Sequence, residues 1–400
     1  MLKGKKIVLG VTGGIAAYKA VELLRLYMKA EAEVHVVMTS SAREFVTPLT
    51  FQTLSGHPVH TDLFSLYQES EIGHISLADR ADVFVVAPAT ANIIGKVANG
   101  LADDLLSTTL MATKAPVLFV PAMNVNMFEN AAYRKNEERL VELGCHVMEP
   151  LSGYLACGWE GKGKFPDPAA VFEETLRILS PSDLAGERVL VTAGPTCEKI
   201  DPIRFVSNFS SGKMGYAVAR AARNRGAKVT LVSGPTCLAP PCGVEVVPVT
   251  TANEMCDEVL KRIEEVTVVI KAAAVADYRP EKVADKKIKK EQMAEMVLRM
   301  EKNPDILSEL GKIKKDRLVV GFAAETGDLV ENAREKLQRK NLDLIVANDV
   351  TAEGAGFDVD TNIVRFLFPD GTMEELPQMS KAEVSEKLLD AVCRMIEKKK

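Results

Sequence analysis

Residues 6–17 read Lys6-Ile7-Val8-Leu9-Gly10-Val11-Thr12-Gly13-Gly14-Ile15-Ala16-Ala17. An apolar, β-branched run breaks into a glycine turn, and helical periodicity follows through Val21, Leu24 and Met28. A strand that is apolar at nearly every position has both faces covered, as in a parallel sheet flanked by helices. The pattern returns 182 residues later as Arg188-Val189-Leu190-Val191-Thr192-Ala193-Gly194. Two such starts in one chain predict two α/β domains.

The runs around each start agree. In the first half Val34–Thr39, Asp82–Ala87 and Val117–Val120 read as strands, and residues 16–29 as a helix. In the second half the strands are Lys228–Ser233, Thr267–Lys271, Leu318–Phe322 and Leu344–Ala347. A helix from about Met214 ends at Gly226. Asn362–Phe368 with Pro369-Asp370-Gly371 predicts a late hairpin, and Lys381–Lys398 a terminal amphipathic helix. Ser180-Pro181-Ser182-Asp183 marks the boundary, placing the domains at 1–181 and 182–400. The expected fold is a pair of three-layer, Rossmann-like α/β domains with mainly parallel sheets.

Composition narrows the function. The 400 residues are 47% hydrophobic and 26% charged, with a net charge of −5. That balance suits a globular chain of two domains and gives no electrostatic reason to bind nucleic acid or an anionic membrane. The basic start is followed by a run that glycine and threonine break too early for a signal peptide, and no stretch reaches the ~20 apolar residues of a membrane span. A cytoplasmic protein is expected. The seven cysteines include no Cys-x-x-Cys pair, which argues against a disulfide framework or a zinc ribbon.

A glycine turn opening a helix aims backbone N–H groups at an anion. The first turn lacks the Gly-x-Gly-x-x-Gly spacing of dinucleotide sites. Gly158 to Gly163-Lys164 nearly forms a Walker loop, but Phe165 stands where Ser or Thr should hold magnesium. A dehydrogenase or a P-loop ATPase is therefore disfavoured. A mononucleotide in one half and a nucleoside triphosphate in the other remain open.

Three further segments of the first half stand out: Gly73-His74-Ile75-Ser76-Leu77-Ala78, Pro121-Ala122-Met123-Asn124-Val125-Asn126-Met127, and Ala156-Cys157-Gly158-Trp159-Glu160-Gly161-Lys162-Gly163. Each alone reads as ordinary structure. Together they resemble the flavin-dependent cysteine decarboxylases. The second half carries Asp201 to Gly215, rich in Ser, Asn and Gly, whose bland reading is a surface loop capping a helix at Ser211. Lys271-Ala272-Ala273-Ala274-Val275-Ala276-Asp277, Lys286-Lys287-Ile288-Lys289-Lys290, Asn303-Pro304-Asp305-Ile306 and Gly321-Phe322-Ala323-Ala324-Glu325-Thr326 follow in order. That set is similar to a phosphopantothenate–cysteine ligase. Over essentially its whole length the chain resembles the bifunctional coenzyme A biosynthesis enzymes that join this ligase to phosphopantothenoylcysteine decarboxylase.

The resemblance implies two consecutive reactions. CTP activates 4′-phosphopantothenate as an acyl-cytidylate, with Mg2+ assisting, and cysteine displaces CMP. The product is then decarboxylated with FMN to 4′-phosphopantetheine. By match, Cys157 is the proton donor, consistent with a thiol pKa near 8.5. His74 lies beside the reacting group, and Asn124 orients the substrate carboxylate. Gly14, Ile15, Thr39, Ala89, Thr90 and Ser107 are the FMN neighbours. In the ligase half Lys287 is the catalytic lysine, with Lys289 its local rival, and Asn208 steadies the acyl-cytidylate. Asp277, Pro304, Asp305, Ile306, Leu307, Phe322, Lys336 and Lys340 map onto the CTP site, and the two last stand four apart on one predicted helix. The magnesium ligands are not identified. The family also implies a homo-oligomer, with trimeric decarboxylase and dimeric ligase domains. The rival readings are a non-catalytic flavin-binding subunit, a pair of NAD-binding domains and a decarboxylase with an inert ligase half.

Overall fold

The computed structural model describes residues 2–63, 73–156, 158–289, 296–325, 329–349, 356 and 359–399. The chain divides into two compact units, Met1–Ser180 and Pro181–Lys400.

The first unit begins with β1 (Lys6–Val11), α1 (Ala17–Lys29), β2 (Glu33–Met38), α2 (Pro48–Ser55), α3 (Gly73–Arg80), β3 (Val83–Ala89), α4 (Ala91–Ala98) and α5 (Leu105–Ala112). It continues with β4 (Val117–Pro121), α6 (Val125–Glu129), α7 (Ala131–Glu142), β5 (His146–Val147), β6 (Leu151–Tyr154), β7 (Glu160–Lys164) and α8 (Pro168–Leu179). Five strands form one parallel sheet in the order β2-β1-β3-β4-β5. Alternation along β1 sorts its side chains. Ile7, Leu9 and Val11 pack with Leu23, Leu24 and Tyr27 of α1 and Val171 of α8. Val8 joins Ile93 and Ile94 of α4, Leu106 of α5 and Leu140 of α7 on the opposite face. A helical layer therefore covers each face. β6 and β7 form a separate antiparallel hairpin.

The second unit begins with β8 (Arg188–Ala193), β9 (Cys197–Lys199), β10 (Phe205–Ser207), α9 (Lys213–Asn224), β11 (Lys228–Ser233), β12 (Glu245–Pro248), α10 (Ala252–Arg262), β13 (Val268–Lys271), β14 (Tyr278–Pro280) and β15 (Met300–Lys302). It ends with α11 (Ile306–Ile313), β16 (Leu318–Glu325), α12 (Leu329–Arg339), β17 (Leu344–Asp349), β18 (Thr361–Asn362), β19 (Val364–Leu367), β20 (Met373–Glu375), β21 (Met379–Ser380) and α13 (Lys381–Lys399). The main sheet runs β12-β11-β8-β13-β16-β17-β19-β20. The six strands from β12 to β17 are parallel, and the last two add antiparallel. Val189 and Val191 face α9 and α13, while Leu190 faces α10, α11 and α12. This is again three layers. Counted within the unit, the parallel strands follow the order 3-2-1-4-5-6, whose crevice opens where the order reverses, between β8 and β13.

The glycines after β8 set how close α9 can come. Gly212 is the N-cap of α9, with φ +78°, which corrects the expected cap at Ser211. A Cβ there would lie 2.7 Å from Thr236 and 3.3 Å from the Gly194 backbone, so the helix starts at the one residue that fits. One turn later, a Cβ on Gly215 would stand 2.6 Å from Ala193 Cβ and 2.8 Å from Thr192 O. No helix among the described residues is long and apolar enough to cross a membrane.

Gly215→Ala forces α9 away from β8. It is expected to lower the unfolding free energy by about 1–3 kcal/mol, the usual cost of overpacking. Urea unfolding followed by circular dichroism reads this loss, and unchanged stability would contradict the close-packing account.

Candidate functional site

Helix N-termini and strand ends converge at the carboxyl edge of each sheet, so the cavities there are built from loops. The first unit holds a cavity of about 600 Å³. Its lining follows β1 (Gly13, Gly14, Ile15), β3 (Thr90, Ala91) and β4 (Ala122, Met123, Asn124), with Tyr154, Leu155 and Ala156 from the β6–β7 hairpin. Ile15 is 60% exposed and Met127 49%, unusual for side chains of their size in a cleft wall. Such walls suit a planar aromatic ring, and the turns opening α1 and α4 offer backbone donors for a phosphate. The residues present therefore fit a flavin mononucleotide.

The hairpin is seated by backbone contact. Met123 N–H donates to Gly163 O at 3.0 Å. Gly163 has φ +146°, and a Cβ on it would lie 2.2 Å from Met123 O. Asn124 caps α6, its Oδ1 accepting from Asn126 N at 2.8 Å, which holds the amide at the cavity edge. Thr12 Oγ1 donates to Pro88 O at 2.7 Å and accepts from Thr90 N at 3.1 Å, tying the β1 and β3 loops together.

Of the sequence-derived residues, Gly14, Ile15, Thr90 and Asn124 line this cavity. Cys157 lies outside the described residues, although its neighbour Ala156 is in the wall. Thr39 caps the short turn at Ser40–Glu44. Ala89 is fully buried at the end of β3. Ser107 is buried and engaged: its N–H and Oγ both donate to Asp104 Oδ1, at 2.8 and 2.9 Å. His74 is half-buried on the first turn of α3 and is not in the lining.

The second unit has two cavities. One, of about 540 Å³, is lined by Asn208, the α9 N-terminus, Ala272–Val275, Phe322, Asn348 and Lys381 among others. The other, of about 340 Å³, is lined by Asp277, Pro304–Leu307 and Lys340 among others. Lys271 and Val275 line both, so the cavities adjoin. Lys213, Lys271, Lys302, Lys340 and Lys381 contribute five positive charges against Asp277 and Asp305. That excess favours a polyanion. Asn348 Oδ1 is buried with no hydrogen-bond donor among the described residues, in the wall of the larger cavity. A ligand N–H or hydroxyl would satisfy it.

Lys271 closes the apolar strand β13, and its Nζ donates to Ala273 O at 2.9 Å. Desolvation, reinforced by the charge of Lys340, lowers its pKa from 10.5 to about 8. Lys340 itself pairs with Asp305, the N-cap of α11, at 2.9 Å. Asn208 Nδ2 donates to Ala274 O at 3.1 Å, drawing the loop after β10 onto the loop after β13.

The lysine run is placed less directly. Lys287 is exposed and lines neither cavity. Its neighbour Ile288 is fastened: Ile288 N donates to Asp201 Oδ2 at 3.2 Å, and Arg204 Nη2 to Ile288 O at 2.8 Å. The Arg204 guanidinium and backbone N–H groups hold the carboxyl of Asp201, only 1% exposed, well below the usual carboxylate range. Lys336 also stands outside both linings, and α12 ends at Arg339, just before Lys340. Sequence reasoning quoted Lys271 at the head of a ligase segment and Lys381 at the start of a helix but gave neither a role in the site, and it gave none to Asn348. The signal for Lys271 was a charge closing a strand of Val and Ile; Asn348 and Lys381 left no local one.

Comparison with known proteins relates each unit to a family. The Flavoprotein family model matches residues 1–180, and the model of the DNA/pantothenate metabolism flavoprotein C-terminal domain matches residues 184–395. The coenzyme A biosynthesis bifunctional protein CoaBC of Bacillus subtilis (strain 168) is 50% identical over 399 residues, covering 99% of this chain and 98% of that one. Its counterpart in Escherichia coli (strain K12) is 46% identical over 402 residues, covering 100% and 99%. A crystal structure of the C-terminal domain of a coenzyme A biosynthesis bifunctional protein CoaBC is 46% identical, covers 54% of this chain and 99% of that one, and superposes with a TM-score of 0.47.

Because Lys271 loses its proton near pH 8 rather than 10.5, polyanion binding should weaken as pH rises through 8. Pyrophosphate titrations between pH 7 and 9 read this, and Lys271→Arg is expected to flatten the profile. An identical profile in the variant would remove Lys271 from the anion site.

Proposed function

The chain belongs to the family of coenzyme A biosynthesis bifunctional proteins, and from that premise we propose how its two units divide the chemistry. The protein is a bifunctional enzyme, a phosphopantothenate–cysteine ligase and a phosphopantothenoylcysteine decarboxylase, acting in consecutive steps. We assign decarboxylation to residues 1–181 and ligation to residues 182–400. The contrast between their cavities carries the assignment: the first unit's is walled mainly by exposed apolar side chains and glycine turns, with Lys19 and Lys164, whereas the second unit's adjoining pair is walled by five lysines and by Asn348, whose Oδ1 has no donor among the described residues.

In the second unit the carboxylate of 4′-phosphopantothenate attacks the α-phosphorus of CTP. Pyrophosphate leaves, and an acyl-cytidylate remains. The cysteine amine then attacks the acyl carbon, and CMP departs. Negative charge gathers on the phosphates in the first step, so preplaced cations lower its barrier. Lys271 and Lys340 line the cavities for that purpose. Asp277 and Pro304–Leu307, where α11 begins, receive the nucleotide, and Phe322 packs in the adjoining space. Lys287, on the segment fastened by Asp201 and Arg204, reaches the acyl phosphate when the site fills, with Lys336 adding field from α12. Asn208 hydrogen-bonds the intermediate. Mg2+ accompanies CTP, as the charge of a triphosphate requires.

In the first unit the substrate lacks an electron sink for losing CO2, and bound FMN supplies a two-electron acceptor and donor. Gly14, Ile15 and Thr90 hold it, with Thr39, Ala89 and Ser107 shaping the loops behind. Asn124 orients the carboxylate for departure. Cys157, on the hairpin seated at Met123, delivers the proton, and His74 completes the site when subunits assemble. Phe209 is 93% exposed, and Ile203 and Phe205, a few residues before it in sequence, are exposed too, which suits a ligase unit that dimerises. We take the assembly to be a homo-oligomer with trimeric decarboxylase units, working in the cytoplasm on small-molecule substrates, without nucleic acid or membrane.

Two variants separate the activities. Cys157→Ser should keep its flavin and ligate normally while accumulating an oxidised, decarboxylated product. Lys287→Gln should lose ligation by about 10²-fold or more and still decarboxylate preformed adduct. Mass spectrometry of both reactions reads this. Normal 4′-phosphopantetheine output from the first variant, or normal ligation by the second, would overturn the role of that residue.

A further inference from the structure

Three of the five histidines, His35, His57 and His60, gather at the outer edge of β2, in the first unit. β2 is the edge strand of its sheet. Glu33 and His35 are two apart on it, so their side chains share a face, while Val34 and Val36 between and beyond them are buried. The chain after α2 then runs alongside. His60 N donates to Val36 O, Met38 N donates to His60 O, both at 2.9 Å, and His60 bridges Val37 in parallel. That return brings the His57 ring over His35, stacked at 4.7 Å between centroids.

We propose that Glu33, His35 and His57 form a site for a zinc-class divalent cation, separate from both reactions. One ligand atom from each residue lies within 4.8 Å of the other two, and all three residues are half-buried. Two imidazoles, one carboxylate and one exchangeable water complete a tetrahedral zinc shell, and imidazole ligands favour Zn2+ and its neighbours over Mg2+. Donors on a tetrahedral zinc ion stand about 3.3–3.6 Å apart, so closing the site requires side-chain shifts of roughly 1 Å. His35 Nε2 is already directed, 2.9 Å from Glu33 Oε1. The His57 ring has no hydrogen-bond partner among the described residues; only its backbone is bonded, its N–H donating to Ser55 Oγ at 3.2 Å. Two imidazoles held against each other with a carboxylate beside them present a donor set that a cation can gather.

Its place argues against a part in catalysis. Glu33 pairs with Lys6 at the amino end of the sheet, whereas the cavity opens at the carboxyl end, past Val11. A cation here would fasten the segment after α2 to the sheet edge and cover unpaired strand edge. Thiols are the competing zinc ligands, and Cys237 and Cys242 are both exposed in the second unit.

The test is zinc binding to the untagged full-length protein, measured by competition with a chromogenic chelator. One site is expected in the wild type and in Cys237→Ser/Cys242→Ser. His57→Gln and Glu33→Gln should each weaken it by at least about tenfold, and Mg2+ in excess should not displace zinc. Zinc should also raise the melting temperature of the wild type but not of the His57 variant. Loss of the site in the cysteine variant, its retention in both His57→Gln and Glu33→Gln, or displacement by Mg2+ would overturn the proposal. Should His57→Gln not fold, Glu33→Gln alone decides, because the Glu33 side chain is 38% exposed at the end of the strand and can be changed without opening the core.

Discussion

Parallel strands put every helix N-terminus at one edge of the sheet, and a ligand must approach backbone N–H groups there without meeting a Cβ. Both units depend on that constraint. In the second, Gly212 and Gly215 let α9 begin directly over the end of β8. In the first, the turn at Gly13-Gly14 opens α1, and Gly163 lets the β6–β7 hairpin sit against the Met123 carbonyl. Removing side chains at those points creates the cavities. What lines them afterwards, mainly apolar surface with two lysines in one unit and five lysines in the other, gives each its chemistry.

The architecture was largely legible because burial on both faces of a parallel strand leaves an unmistakable apolar run. Lys228–Ser233 is a strand over the expected residues, and the Asn362–Phe368 hairpin is present as β19 and β20. The start of α9 was misread by one residue. Ser211 has the chemistry of a cap, but the left-handed backbone and the nearness of Thr236 admit only glycine next to it. Strand order left no local trace, since it depends on crossovers that propensity cannot record.

Site residues were legible where a motif travels with its loop. Gly14, Thr90 and Asn124 line one cavity from three separate loops. Ser107 illustrates the opposite: Asp104 and Ser107 have capping-box spacing, which could have indicated that the hydroxyl is engaged by its own helix. Lys271 was read as part of a segment but given no role, because a charge ending an apolar strand reads as the strand's edge. Lys287 belongs to a run with no periodic pattern, and its position follows from a contact 87 residues away in sequence, between Asp201 and Ile288. A buried carboxylate bonded to an arginine and three backbone amides is a rigid anchor, and it brings order to a segment whose own sequence favours solvent.

The central claim is that one chain performs both reactions in sequence. Mass spectrometry of a single mixture of purified protein, 4′-phosphopantothenate, cysteine, CTP and magnesium tests it directly. The account predicts 4′-phosphopantetheine, with CMP, pyrophosphate and CO2 released in equal amounts. Absence of both 4′-phosphopantetheine and its cysteine adduct, from protein that carries flavin, would contradict it.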